Sequence, residues 1–239
     1  MPSTVLILKA GSTFRALVPH IGDFEDWIRA GLDAPELAVR VADARRDPLP
    51  PAETLAGVVI TGSHAMVTDR EPWSEAAAAW LRGAVQAGLP VLGICYGHQL
   101  LAHCLGGEVG YHPGGIEIGT VPVQLRPAAA DDPLLGGLPP RFEAHVVHRQ
   151  SVLALPEGAV LLAGNAFEPV QAFRAGSAAW GVQFHPEFSA QAMRGYVDGL
   201  RQDLLDDGRD PDAIHRQVAD TPAAASVLRR FAHHLQRRA

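Results

Sequence analysis

The feature that most constrains this chain is a series of short, uninterrupted apolar runs that alternate with segments of helical spacing. Val5 to Leu8, Gly57 to Ile60 and Leu89 to Ile94 lack the in/out alternation of a half-exposed strand. Strands of that kind are apolar on both faces and must be covered on both, which takes helices. The intervening segments supply them. Phe24 to Leu32 carries apolar residues at helical spacing, Trp73 to Ala87 is an alanine-rich helix stopped by Gly88, and Gly97 to Leu105 is a helix closed by Gly106 and Gly107. With Leu37 to Val41 as a further strand, the pattern predicts an α/β fold: a three-layer sandwich around a mostly parallel central sheet.

Between Gly107 and Gly181 the segments shorten and Gly and Pro become frequent. Ile118 to Leu125, Val152 to Leu155, Ala159 to Ala163 and Val170 to Phe173 read as strands of a smaller antiparallel element. Helix returns over Gln191 to Leu204 and Ala223 to Gln236. The stretch Asp206 to Pro211 between them has the composition of a hinge. It divides the chain into a domain of residues 1–205 and a helical appendage, residues 206–239, packed on that domain.

Composition narrows the function classes. With 239 residues, 47% of them apolar, the chain can bury a core of its own. The 20 Lys plus Arg against 26 Asp plus Glu leave a net charge of -6, with neither sign gathered in long blocks, so nucleic acid is not an expected partner. No apolar stretch reaches the roughly 18–20 residues needed to span a bilayer. The amino terminus lacks the basic start and small-residue cleavage site of a signal peptide. Two cysteines make no disulfide scaffold, which points to free thiols in a reducing, cytoplasmic setting.

One of those cysteines stands in a chemical context. Gly93-Ile94-Cys95-Tyr96-Gly97 lies between an apolar strand and a helix, the arrangement of a nucleophile elbow with cysteine in place of serine. Such a turn pushes the nucleophile into a cleft, and the helix start favours its thiolate. Cys104, on the apolar face of the following helix, reads as core. A thiol nucleophile needs an imidazole base, and the base needs a third group to fix its tautomer. Of eleven histidines, His185 is the one shaped for the task. The strand Ala179 to Phe184 runs directly into His185-Pro186-Glu187, where Pro186 stops the strand and lets the two polar side chains project to one side. The other histidines show no metal-ligand spacing, so neither a metal site nor a cofactor is expected.

The two motifs together, G-I-C-Y-G-H-Q around Cys95 and G-V-Q-F-H-P-E around His185, resemble those of the class I (triad) glutamine amidotransferases, which have a flavodoxin-like architecture. The first heptapeptide is very similar to that of the GMP synthetase glutaminase domain. The likeness runs in order from Gly57 to about Ser189. It implies a Cys95, His185, Glu187 triad that forms a thioester on the side chain of glutamine or a γ-glutamyl compound and releases ammonia or an amine. It also implies an oxyanion hole from the backbone N–H groups of Gly62 and Tyr96, and contacts to the substrate's amino-acid end from Gln99 and from Val147, His148 and Arg149. Two departures stand out. The oxyanion turn reads Gly62-Ser63-His64 where Gly-Gly-Pro is common, which reshapes the pocket mouth, and Gln150 replaces an acid. Cofactors are not implied.

Four functions stay open at this level. The chain is a free-standing hydrolase of glutamine or γ-glutamyl compounds, or a glutaminase subunit that feeds a separate synthase, with the basic helix Leu228 to Arg238 as its docking surface. It is otherwise a non-catalytic binding protein that keeps the fold, against which the intact Cys95, His185 and Glu187 argue, or another acyl-transfer enzyme that shares the elbow.

Overall fold

A computed structural model describes residues 4–238. The amino-terminal half contains β1 (Thr4–Lys9), α1 (Val18–Ile21), α2 (Phe24–Leu32), β2 (Ala38–Asp43), β3 (Gly57–Ile60), α3 (Pro72–Gln86), β4 (Val91–Ile94) and α4 (Tyr96–Cys104). A strand-rich stretch follows, with β5 (Glu108–Tyr111), β6 (Glu117–Leu125), β7 (Arg141–His148), β8 (Gln150–Ala154), β9 (Val160–Gly164), β10 (Ala172–Ala175) and β11 (Ala179–Val182). The chain ends in α5 (Ala190–Gly199), α6 (Arg201–Asp206), α7 (Pro211–Gln217) and α8 (Pro222–Gln236).

The strands form one nine-stranded sheet in the order β2-β1-β3-β4-β11-β10-β9-β6-β7. From β2 to β11 neighbours run parallel. From β11 to β7 they run antiparallel. The antiparallel part expected after Gly107 therefore takes two forms: most of it extends the main sheet, and β5 with β8 makes a separate two-stranded pair.

Side chains of the parallel strands alternate between two cores, which is why their sequences read as continuous apolar runs. Val5, Ile7, Val59, Leu92 and Trp180 face Ile28 and Leu32 of α2 and Val227, Leu228 and Phe231 of α8. Leu6, Leu8, Val58, Ile60 and Val91 face Ala77 and Leu81 of α3 and Leu100 and Leu101 of α4. The helix α8, in the segment set apart at 206–239, thus lies over the same face of the sheet as α2. A third cluster gathers Phe24, Ile118, Phe188, Met193, Tyr196 and Leu204 at the end of the sheet where α5 packs.

Local chemistry sets the helix boundaries. Asp23 and Asp26 form a reciprocal capping box at the start of α2. Ser189 caps α5 by accepting a hydrogen bond from the Ala192 N–H. The single helix expected over Gln191 to Leu204 is broken: α5 stops at Gly199, Leu200 leaves helical geometry, and α6 starts anew. Glycine is a poor helix former, yet it is required there, because a Cβ on Gly199 would lie 2.8 Å from Cε2 of Phe14. The expected hinge at Asp206 to Pro211 is a tight turn, with Gly208 at φ 70° and Asp210 capping the additional helix α7.

In open α/β sheets ligands sit beyond the carboxyl ends of parallel strands, next to the point where strand order reverses. Here the chain passes from β1 outward to β2 and then back to β3 on the other side. The turns after β3, β4 and β11 carry Gly62, Cys95 and His185 to that edge.

Candidate active site

The strand β4 ends at Ile94 and α4 begins at Tyr96, so Cys95 alone makes the turn, at φ 50° and ψ -100°. A non-glycine residue in such a conformation costs on the order of 1–3 kcal/mol and persists only when its surroundings hold it. The Cys95 N–H donates to Val182 O at 2.9 Å, which ties the turn to β11. The flanking glycines are steric necessities. A Cβ on Gly93 would collide with the Gly97 carbonyl, and one on Gly97 would lie 2.6 Å from Ile60 O of β3. The thiol is nearly buried and donates to Val147 O at 3.6 Å. The first N–H groups of α4, with no partners inside the helix, point back at this position. Tyr96 turns its own side chain away, where its hydroxyl meets Ser74 Oγ at 2.5 Å and burial pushes it up to about 12.

His185 is fixed from three directions. Its backbone N–H donates to His145 O at 2.8 Å, and its ring stacks on Phe188 with centroids 4.1 Å apart. Its Nδ1 lies 2.7 Å from Glu187 Oε1, with the carboxylate fully buried. Burial acts to lower the imidazole, but the Glu187 carboxylate and the Cys95 sulfur outweigh it and raise His185 to about 10. Nε2 has no hydrogen-bond partner at rest, since the thiol is directed to Val147 O, yet the sulfur is near enough to be one of the groups that raise the ring. Catalytic hydrogen bonds are often loose before substrate binds.

A cavity of about 240 Å³ opens at this edge, and Cys95, Tyr96, Gln99, Val147, His148, Arg149 and His185 all line it. Glu187 sits behind His185, outside the cavity. Gly62 sits against the imidazole, where a Cβ would come within 3.2 Å of its Cε1, and the neighbouring Ser63 reaches the lining. Gln99 donates from Nε2 to Gln150 O at 2.7 Å and to Gln183 Oε1 at 3.0 Å. Arg149 reaches across the rim to Asp203 at 3.0 Å and Asp207 at 3.7 Å.

Several lining or supporting residues had no signal in the sequence. Glu117 accepts from His148 Nε2 at 2.9 Å, and Asn165 and Gln171 join the same carboxylate. Phe14 and Tyr196 wall the cavity from a loop and from α5. The pairing of Glu117 with His148 follows from the β6–β7 register, which residue types alone do not reveal. Cys104 lies in the core as expected, its thiol pushed up to about 12 by burial. Among the described residues no cluster of His, Cys, Asp or Glu is arranged to hold a metal, and no helix is long and apolar enough to cross a membrane.

The sequence profile of Glutamine amidotransferase class-I matches residues 24–197, a span that includes the elbow and the His185-Pro186-Glu187 turn. The chain belongs to the class-I glutamine amidotransferase family. Its membership marks it as an enzyme of the glutamine amidotransferase type. One relative is the glutamine-hydrolyzing GMP synthase of Aeropyrum pernix, 44% identical over 145 residues, which are 61% of this chain and 26% of that protein. Another is the γ-glutamyl-L-1-hydroxyisopropylamide hydrolase of a Pseudomonas species, 29% identical over 160 residues, 64% of this chain and 54% of that protein. The chain thus spans about a quarter of the length of the GMP synthase relatives it matches. Among solved structures, a glutamine amidotransferase from Methylobacillus flagellatus superposes with a TM-score of 0.74 at 26% identity, covering 99% of this chain and 93% of that one. One from Thermotoga maritima gives 0.76 at 22% identity, covers 97% of each chain, and speaks for the shared amidotransferase fold alone.

Proposed function

We propose that this class-I amidotransferase hydrolyses the side-chain amide of glutamine or of a γ-glutamyl compound, with Cys95 as nucleophile, His185 as proton carrier and Glu187 as the group that orients it. The observation that carries this is a left-handed Cys95 and a Glu187-bound His185 meeting at one cavity, although the two lie on separate strands. Cys95 gives its thiol proton to His185 Nε2 as the sulfur attacks the amide carbon, and the oxygen that gains charge is held by the N–H groups of Gly62 and Tyr96, each donor worth about 3–4 kcal/mol in such sites. His185 hands its Nε2 proton to the leaving nitrogen, the C–N bond breaks, and ammonia or an amine departs from a γ-glutamyl thioester. Water then attacks the thioester and gives a proton to His185, the C–S bond breaks to release glutamate, and His185 returns that proton to the departing sulfur. Gln99, Val147, His148 and Arg149 hold the amino-acid end of the substrate. No step calls for a cofactor.

The test is glutamate release by the purified chain from glutamine and a γ-glutamyl panel, together with labelling of Cys95 by a glutamine-like electrophile and Cys95→Ser as control. Undiminished glutamate release by Cys95→Ser, or labelling at another residue, would contradict the assignment.

A second reading is a glutaminase subunit that passes ammonia to a synthase. It is favoured by the GMP synthase relatives, of which this chain spans about a quarter, and by the exposed Arg229 on α8 and Arg237 and Arg238 just after it. It requires glutamine hydrolysis to rise several-fold when the synthase is added.

A further inference from the structure

Resting on the hydrolase reading, we propose that the aromatic part of the catalytic cavity is a leaving-amine subsite. The substrates are then γ-glutamyl amides of short, uncharged, apolar amines in preference to glutamine itself.

The cavity sorts its lining into two connected sets. Gln99 and Gln150 form the polar set, joined through the Gln150 carbonyl, which also meets His148 Nδ1 at 3.0 Å. Phe14, His64 and Tyr196 form the other. Their ring centroids lie 4.8 Å (Phe14 and His64), 4.9 Å (Phe14 and Tyr196) and 5.8 Å (His64 and Tyr196) apart. This aromatic set is continuous with the proton donor, because Tyr196 contacts Phe188 at 4.9 Å and Phe188 stacks on His185 at 4.1 Å. Phe14, His64 and Tyr196 line the same cavity as His185, so a leaving group that takes its proton has these rings beside it.

The rings offer carbon rather than hydrogen bonds. The Tyr196 hydroxyl is engaged with Thr13 Oγ1 at 3.2 Å and His64 Nε2 at 3.3 Å. Burial and the nearby His185 hold His64 below the ordinary imidazole range, so the rim is uncharged there. None of the described residues that line the cavity is a carboxylate, and a cationic amine would find no counter-charge.

The set is also built rather than incidental. Gly195 and Gly199, one turn apart on α5, leave room for Leu17 and Phe14. A Cβ would come within 2.5 Å of Leu17 Cδ2 at the first and 2.8 Å of Phe14 Cε2 at the second. Departing ammonia has no carbon to place against three rings, whereas each methylene buried there raises kcat/KM about fourfold. The cavity volume of about 240 Å³ lies below the roughly 300–1,000 Å³ typical of small-molecule pockets, which limits the amine to a few carbons.

The experiment measures kcat/KM by glutamate release for the full chain with glutamine and with the γ-glutamyl amides of methylamine, isopropylamine and ethylenediamine. The expected order is isopropylamide above methylamide above glutamine, with isopropylamide at least about tenfold over glutamine and the cationic diamine amide lowest. Phe14→Ala should cut the isopropylamide-to-glutamine ratio about tenfold, and Gly199→Ala, which displaces the Phe14 ring from outside the cavity, should cut it in the same direction. Glutamine preferred over every alkyl amide, or a ratio unmoved by both variants, overturns the subsite and leaves the hydrolase reading standing. No glutamate from any compound overturns both.

Discussion

Glu117 and His148 stand opposite each other on β6 and β7, and their side chains meet with Oε2 and Nε2 2.9 Å apart. The second ring nitrogen of His148 faces Gln150 O at 3.0 Å. Both partners are acceptors. The carboxylate in turn accepts from Gln171 at the same oxygen and from Asn165 at the other, at 2.9 and 2.8 Å. Gln150 O also receives Gln99 Nε2. One buried carboxylate thereby supports the backbone of residues 148–150, which lines the cavity.

Glu117→Gln sets an amide NH₂ against a donor whichever way it turns, because both oxygens now accept. The expected cost is about 1–3 kcal/mol of stability, read from urea midpoints. In steady-state kinetics KM for γ-glutamyl substrates should rise by a larger factor than kcat falls, since the reacting groups stay in place while the wall shifts.

Replacing the three residues of the proposed triad should give graded losses. Cys95→Ala removes the nucleophile and should abolish turnover, and His185→Asn should cost about 10²–10⁴-fold. Glu187→Gln should cost roughly one to two orders of magnitude less than the loss of the base, as the third member of such a triad does. It also removes the carboxylate that raises His185 to about 10, so the alkaline limb of the kcat/KM profile should move to lower pH. Equal and small losses for all three would contradict the roles.

The strained turn predicts a reversal of ordinary stability order. Glycine is usually the less stable residue, yet Cys95 sits at φ 50°, where an L side chain is penalised. Cys95→Gly should therefore be more stable than Cys95→Ala by about 1 kcal/mol, both being inactive. Thermal unfolding of the two variants side by side decides it.

Two buried histidines predict acid sensitivity. Burial lowers His98 to about 3, and burial together with the charge of His185 lowers His145 to about 4, against 6.5 for a free imidazole. Each folded value lies below the unfolded one, so the stability they confer is fully present above pH 6.5 and is lost as pH falls through 6.5 toward 4 and 3. The slope is about 1.4 kcal/mol per pH unit per group. His185 works in the opposite sense, its contribution being present below 6.5 and lost as pH rises through about 10. Urea midpoints from pH 4 to 6.5 should steepen with acid, and His98→Phe should flatten that slope by about half in this range.

Much of the fold was legible because its causes are local. Apolar runs without alternation require a sheet covered on both faces, and β1, β3 and β4 lie where those runs lie. The Gly93 and Gly97 spacing is likewise a local demand, set by backbones that touch within a few residues or on the next strand. The need for glycine at the end of α5 was not legible, because it comes from a phenyl ring of residue 14 seated on residue 199.

The amino-acid sequence by itself determined the α/β class, the turn that holds Cys95, and the strand end that holds His185 beside Glu187, since each depends on sterics between near neighbours. Only the tertiary structure decided that Glu117 supports His148, 31 residues away, and that Tyr196 meets Thr13 and His64 across 183 and 132 residues. Contacts that distant arise from strand register and helix packing, which are settled by burial of the whole core and leave no local pattern in the residues they join.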